Sequence, residues 1–565
     1  MATDFDAIVV GSGITGGWAA KEFTEKGFKT LLLDRGRHVE HREDYPTEGL
    51  PPWELPNRGR ISKEEQDKDY EIQKLTPIHE DHKHFFVKDS EHPYDHPDDK
   101  LFTWVRGYQL GGRSLTWGKH TYRWSEMDFQ SNKNDGYGTD WPIRYEDVAP
   151  WYDHVEKFIG VSGSVEGIDI LPDGIFQPPM EMTCVEKVIK KRFDAAYEDR
   201  HFIMGRVAHL TEPTEEQLEL GRSKCQFRNE CKRGCSFGAY FSSQSATLPA
   251  AKRTGNLTII TDAIGHSVTY DAATKKATGV RVIDAITKET TEYTGRVVFL
   301  CASTIGSTQL MMNSVSETFE NGIANGSGVL GHYLMDHVFL AGAKGRMPGY
   351  HDQYHSGRRP NNIYIPRFRN VHGDNQDTFR RGYAFLGGAT RSNWKQARNI
   401  TGYGVDYKES LNQPGDWEFF LVGFGETLPR YENHISIDRS DLDNWGLPKL
   451  TISAQFSDNE KNMQKDMAEE GGRILEATGL EDIEPWIRES VPGNCIHEMG
   501  TARMGLDPAT SVLNKFNQAH EVVNLFVTDG ACMASTACQN PSLTYMALTA
   551  RAVDYAANQM KNGIF

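Results

Sequence analysis

The sequence predicts an α/β domain joined to an α+β domain built on an antiparallel sheet. Three observations carry that expectation. The first forty residues read as strand, glycine-rich turn, helix and strand. The last seventy return to an apolar strand and a long helix, while the stretch from His337 to about Val491 alternates in short aromatic runs separated by turn residues.

In "FDAIVVGSGITGGWAAKEFTEKGFKTLLLDRG", Ala7 to Val10 is a buried-strand run, and Gly11, Gly13 and Gly16 follow it as G-x-G-x-x-G. Trp18, Ala19, Ala20 and Phe23 give an apolar stripe to a helix ending near Gly27; Leu31 to Leu33 form a second strand with Asp34 at its carboxyl end. The first glycine permits the tight turn, the second lets backbone approach a pyrophosphate, and the third lets helix and strand pack closely. The helix start offers free N–H groups and a positive dipole end to phosphate. Asp34 is placed to accept a hydrogen bond from a ribose 2′-hydroxyl and to repel a 2′-phosphate. This is a Rossmann-like dinucleotide site, and the motif alone does not separate FAD from NAD.

At 565 residues the chain exceeds the roughly 250–300 at which single cores stop growing, so two domains are expected. Hydrophobic residues at 38% and charged ones at 25% fit a globular protein, not a disordered one. The net charge of −16 would repel a phosphate backbone, which argues against nucleic acid as a partner. The basic run Lys187 to Phe193 carries helical spacing and reads as a solvated helix face. No apolar run approaches the ~18 residues of a membrane span. "MATDFDAIVV" has no basic n-region, apolar h-region or cleavage site, so a cytoplasmic location is expected, with export on a partner's signal as the alternative.

Four further segments specify the chemistry: "VRGYQLGGRSLTWG" (Val105 to Gly118), "GHYLMDH" (Gly331 to His337), "CIHEMGTARMG" (Cys495 to Gly505), and "NLFVTDGACMASTACQNPSLTYMALTARAVDY" (Asn524 to Tyr555). With the amino-terminal motif, in this order, the chain resembles the glucose–methanol–choline (GMC) family of FAD-dependent alcohol oxidoreductases. The resemblance implies that the first domain is an FAD-binding domain of GMC type, spanning 1–335 and 490–565, with a lid-like loop at 60–100 and a cysteine loop at 220–240 as insertions. The substrate domain would span 336–489. Gly11, Gly13, Gly16, Asp34 and Arg35 would hold the ADP half of FAD, Arg106, Gly111, Gly112, Ser114 and Thr116 would lie along the flavin, and Asp529 and Gly530 would meet the ribityl–pyrophosphate region. Thr116 stands where some sugar-oxidising relatives carry a flavin-linked histidine, so non-covalent FAD is expected; attachment through His120 is the disfavoured alternative.

The resemblance assigns catalysis to His497 and Asn540. Oxidising an alcohol removes a hydroxyl proton and a hydride from one carbon, and the isoalloxazine takes the hydride at N5. An imidazole of ordinary pKa about 6.5 is largely neutral at working pH and suits the base. The Asn540 amide can donate and accept hydrogen bonds and would orient the substrate oxygen. Pro541 pushes Asn540 out of helical geometry, at the start of a helix running through "SLTYMALTARAVDYAANQM". The flavin loop, the His/Asn pair and "SATLPAA" resemble the bacterial sugar-oxidising branch, which implies oxidation of a sugar secondary alcohol, leaning towards a glycoside 3-dehydrogenase; a pyranose oxidase using oxygen and a glucose C1 dehydrogenase are the alternatives. Trp417, Phe419, Phe420 and Tyr431 are candidates for sugar stacking, although strand aromatics are more often core.

Five of the eight cysteines are isolated and read as reduced, buried small side chains. Cys225, Cys231 and Cys235 share one loop spaced C-x5-C-x3-C. A staple would leave one thiol over, and zinc normally shows C-x2–4-C pairs with four ligands. The spacing resembles that of cluster-bearing subunits of membrane-linked sugar dehydrogenases, which implies a [3Fe-4S] cluster passing electrons to a cytochrome c, and a small export or chaperone subunit as a further partner. Inert thiols in a tight loop are the competing reading. His79, His82 and His84 lie in a polar stretch from Asp67 to Asp99 and read as part of a solvated loop in preference to a metal site.

Overall fold

The computed structural model describes residues 4–51, 53–228, 230–353, 362–391, 402–412 and 414–565. The opening motif folds as its periodicity dictates. Strand β1 (Phe5–Val10) lies between two parallel neighbours, β2 (Thr30–Leu33) and the strand Thr290–Leu300. Helix α1 (Ile14–Glu25) crosses between β1 and β2. Its stripe is fully buried: Trp18 meets Phe158 edge-on at 5.3 Å, and Phe23 meets Phe299 at 5.0 Å. Burying each such ring contributes about 2–3 kcal/mol.

Leu257–Ile260 extends the sheet beyond β2, and Leu525–Val527 adds a parallel strand to the end of Thr290–Leu300. The start of that long strand instead pairs antiparallel with Lys276–Asp284, which pairs with Ala263–Asp271. Helix Ser542–Lys561 packs against α1. The carboxyl-terminal segment thus closes the domain that the amino-terminal segment opens.

The second layer is a six-stranded antiparallel sheet ordered Glu481–Ile487, Ala341–Met347, Trp417–Gly425, Tyr383–Arg391, Ile363–Ile365 and Ile203–Met204. Helix Asp458–Ala477 covers it, with Met463 and Met467 filling the space over Gly425 and Gly423. Helix Cys184–Ala196 contributes Val185, Ile189 and Phe193 to the same core. Lys187, Lys191 and Arg192 of that helix face solvent, as their spacing predicts. The edge strand and this helix both come from outside the expected 336–489 span. "HISIDRS" does not join the sheet; it forms a hairpin, His434–Leu442 with Pro448–Ser453, whose apolar face packs on Phe102, Trp104 and Leu334.

The expected lid-like loop is a folded strap. Ser62 caps helix Lys63–Asp69 by accepting the Glu65 N–H, and short 3-10 turns follow. His82 is buried, with Nδ1 2.5 Å from Asp81 and Nε2 3.0 Å from the Pro77 carbonyl. The solvated-loop reading is therefore corrected for His82, because Asp81 needs a partner inside the strap. Asp81 also pairs with Arg233 at 2.7 Å, tying the strap to the cysteine loop. Among the described residues, no helix is long and apolar enough to cross a membrane.

Candidate active site

A cavity of about 430 Å³ starts at the Gly11–Gly13 turn and Asp34 and runs to His497 and Asn540. Its near end is knit by one residue absent from the sequence-derived set, Ser12. The Ser12 hydroxyl donates to the Asp34 carboxylate and accepts the Gly111 N–H at 2.6 Å. Asp34 also accepts the backbone N–H groups of Ser12 (3.0 Å) and Gly36 (2.8 Å). Burial pushes Asp34 up, against those hydrogen bonds. One lone pair of its Oδ1 is still able to accept a hydroxyl.

The glycines divide by what a side chain would meet. A Cβ on Gly16 would lie 1.7 Å from the Gly11 carbonyl oxygen, so Gly16 serves close packing. A Cβ on Gly13 would meet nothing within 4 Å, and one on Gly112 would meet only the Gly13 Cα, at 3.6 Å. The two glycine loops face each other across open space at the start of α1, a cradle fit for a pyrophosphate beside free N–H groups. Arg35 lines the cavity with its guanidinium over the Tyr108 ring at 3.9 Å. Arg106 also lines it, but its guanidinium turns to the strap, donating to the His92 carbonyl at 2.7 Å and lying 4.1 Å over Trp104. Ser114 donates to the Gly111 carbonyl at 2.6 Å, and Ser114 and Thr116 line the middle of the cavity with His120. Asp529 caps the turn Gly530–Cys532 and accepts the Ser307 hydroxyl at 2.5 Å. Burial lifts it to about 6.

At the far end, residues distant in sequence meet. Asn540 precedes the helix that Pro541 caps, and its Nδ2 lies 3.5 Å from His497 Nε2. His497 is seated by Asp336 of "GHYLMDH". The Asp336 carboxylate accepts the backbone N–H groups of Gly493 (2.8 Å), Cys495 (3.0 Å) and His497 (2.9 Å), which fixes the whole turn. Burial and the neighbouring Glu498 push Asp336 up to about 7, against those three bonds. Glu498 is held bidentately by Arg113, at 2.7 and 3.1 Å. His497 Nδ1 lies 2.9 Å from His337 Nδ1 and 3.4 Å from Cys495 Sγ. Burial, then His337, Arg113 and His120, press the His497 pKa well below the usual imidazole value. The Phe424 ring, from the sheet, stands 6.4 Å from it.

Of the four aromatics considered for sugar stacking, none lines the cavity. Trp417 and Phe419 are buried in the sheet's core, because their strand turns them to helix Asp458–Ala477. Phe420 is half-buried on the other face, and Tyr431 stacks on His332 at 3.8 Å on the surface. The rings that do line the cavity, Phe86, Trp104, Tyr108, Trp117 and Tyr545, come from the strap, the glycine loop and the last helix.

The three loop thiols are free. Cys225 and Cys235 rest against Met180 and Ala239, with burial raising both and lifting Cys225 to about 11. Cys231 faces His209, Sγ to Nε2 3.8 Å. They do not bring three ligand atoms within 4.8 Å of one another, and neither do His79, His82 and His84. Ligands of one zinc ion bound at ~2.3 Å would lie closer than that, so neither group is set for a single ion. The loop's Lys232 reaches the cavity wall.

Among curated proteins, the chain is 28% identical to a 2-methyl-1,2-propanediol dehydrogenase of Mycolicibacterium austroafricanum, covering 99% of this chain and 96% of that one. It is 24% identical to a fructose dehydrogenase large subunit of Gluconobacter japonicus, covering 99% and 98%. Among solved structures, a formate oxidase of Aspergillus oryzae RIB40 superposes with a TM-score of 0.61 at 14% identity, over the whole of both chains. That likeness bears on the fold. The amino-terminal GMC oxidoreductase description matches residues 5–339 and the carboxyl-terminal one residues 429–549, so the chain belongs to the GMC oxidoreductase family.

Proposed function

We propose that this oxidoreductase binds FAD non-covalently, oxidises a secondary alcohol of a sugar or glycoside to a ketone, and passes the electrons to an acceptor other than oxygen. The observation that carries the reading is the meeting of His497 Nε2 and the Asn540 amide at one end of a cavity whose other end is the open glycine cradle beside Asp34. The cradle, Asp34 and the long cavity fit FAD. Bound there, FAD supplies a two-electron acceptor for hydride at its isoalloxazine ring. Gly11, Gly13, Gly112 and the start of α1 would hold the pyrophosphate, Asp34 the ribose, Asp529 and Gly530 the ribityl–pyrophosphate region, and Ser114 and Thr116 the flavin.

The chain's residues then divide the work. Asn540 fixes the alcohol oxygen and lowers the energy of its alkoxide-like state. His497 accepts the hydroxyl proton at Nε2, its depressed pKa keeping it neutral and ready at ordinary pH. Asp336 holds the turn so that base and alcohol keep one geometry. The names of the relatives, a diol dehydrogenase and a fructose dehydrogenase subunit, support a hydroxyl-rich substrate and a dehydrogenase. A glycoside oxidised at C3 is the favoured member of that class.

The cysteine loop is assigned to electron exit. It abuts the cavity through Lys232, and the C-x5-C-x3-C spacing of its thiols, which resembles that of cluster-bearing dehydrogenase subunits, supports a [3Fe-4S] cluster there. A cytochrome c is the partner proposed to collect the electrons. The test is anaerobic purification with flavin, iron and sulfide analysis, then addition of methyl β-D-glucopyranoside, D-fructose or D-glucose with a dye acceptor or with oxygen. The reading expects a yellow protein, about three irons per chain, and dye reduction without oxygen uptake. A colourless protein, or flavin bleached by none of the three, overturns the catalytic assignment; iron-free protein with full dye activity overturns the cluster alone.

A further inference from the structure

The neighbour of the base, His337, closes the segment "GHYLMDH" but received no role of its own from the sequence. His337 is buried, and its two ring nitrogens meet different partners. Nε2 lies 3.1 Å from the Thr536 carbonyl oxygen, and Nδ1 lies 2.9 Å from His497 Nδ1. A carbonyl oxygen only accepts, so His337 Nε2 carries the hydrogen. Burial lowers His337 to about 4, and the ring is neutral at working pH. Its Nδ1 is then a bare lone pair, and the hydrogen between the two rings belongs to His497 Nδ1.

We propose that His337 is the positioning residue that sets the tautomer of His497, holding the hydrogen on Nδ1 so that Nε2 faces Asn540 and the substrate as the proton-accepting atom. The proposal rests on the function argued above and extends it. Imidazole ordinarily favours hydrogen on Nε2, the form that could not take the alcohol's proton there. The chain of bonds from the Thr536 carbonyl through His337 reverses that preference. When His497 takes the hydroxyl proton at Nε2, its Nδ1–H still donates to His337, so the ring keeps its orientation through the transfer.

The other groups around His497 do not fill this role. Asp336 spends its carboxylate on three backbone N–H groups. Glu498 is bound by Arg113, which with His120 adds positive potential that disfavours the imidazolium. Tyr545 points its hydroxyl at the Glu498 carbonyl, 3.4 Å away. Cys495 Sγ is a second, weaker acceptor for the Nδ1–H at 3.4 Å.

The test reads the tautomer directly, in ¹⁵N-histidine-labelled protein with the His497 signals assigned by their loss in His497→Asn. Wild type should show His497 protonated at Nδ1 and bare at Nε2 from pH 6 to 8. His337→Leu should shift it towards the Nε2–H form, the Asn540 amide turning to accept, and His337→Gln, which can donate to Thr536 and accept from His497, should restore the wild-type pattern. In FAD-loaded protein, single-turnover bleaching by methyl β-D-glucopyranoside, D-fructose or D-glucose should slow at least ~30-fold in His337→Leu and under ~5-fold in His337→Gln, since a wrong tautomer costs up to roughly 10⁴-fold in other enzymes. An Nε2–H form of His497 in wild type, an unshifted tautomer in His337→Leu, or equal damage by Leu and Gln overturns the proposal. His497→Ala that still bleaches at the wild-type rate overturns instead the function beneath it.

Discussion

Replacing Gly13 by alanine puts a methyl group where the structure has open space, since an added Cβ meets no atom within 4 Å. The Gly13 backbone is extended, at φ −61° and ψ −158°, and not left-handed. The apoprotein's stability should therefore change by less than about 1 kcal/mol. The cradle is different. A methyl in the volume proposed for the pyrophosphate moves it off the N–H groups at the start of α1. Losing two hydrogen bonds to a charged group, each about 1.5–3 kcal/mol, costs about 3–6 kcal/mol, at least ~100-fold in Kd. Gly16→Ala is the control, because its Cβ would sit 1.7 Å from the Gly11 carbonyl oxygen and the turn itself must break. Thermal melts of apoprotein and FAD titration by fluorescence separate the two. Gly13→Ala should melt like wild type and bind FAD weakly, whereas Gly16→Ala should melt early. A Gly13→Ala protein that binds FAD within ~3-fold of wild type would refute the placement of the pyrophosphate.

Asp336→Asn should destabilise the fold by about 2–4 kcal/mol and slow turnover, because the amide's NH₂ group meets backbone N–H donors at the buried 493–497 turn; chemical denaturation and steady-state rates measure both. The depressed His497 pKa sets the pH profile. A base is lost as pH falls through its folded pKa, so an ordinary imidazole would lose about fourfold of its neutral form between pH 8 and 6. Flavin bleaching should instead change by less than ~2-fold over that range and fall only at lower pH. A fourfold drop centred near pH 6.5 would show that burial does not act on the base.

Much of the fold was readable because its signals are local. The β1–turn–α1–β2 unit lies within thirty-four residues, and Pro541 marks the start of the last helix wherever the rest of the chain goes. The site was readable only where a motif carried it. His497 and Asn540 are 43 residues apart and meet because two turns converge, which periodicity does not encode. Ser12 sits between two glycines and looks like spacer, yet it joins Asp34 to Gly111. Asp336 and His337 end the segment "GHYLMDH" and Cys495 reads as an isolated thiol, and no role attaches to any of them until their partners are placed. Trp417 and Phe419 show the reverse case. Alternation in a strand says which side chains share a face, but not which face meets the core.

The most direct test of the account is the anaerobic bleaching of bound flavin near 450 nm in wild type and His497→Ala, each loaded with one FAD per chain. With methyl β-D-glucopyranoside, D-fructose or D-glucose as reductant, the account predicts rapid bleaching of wild type and a loss of at least ~100-fold in the variant at unchanged FAD content. Equal rates in the two proteins would contradict it.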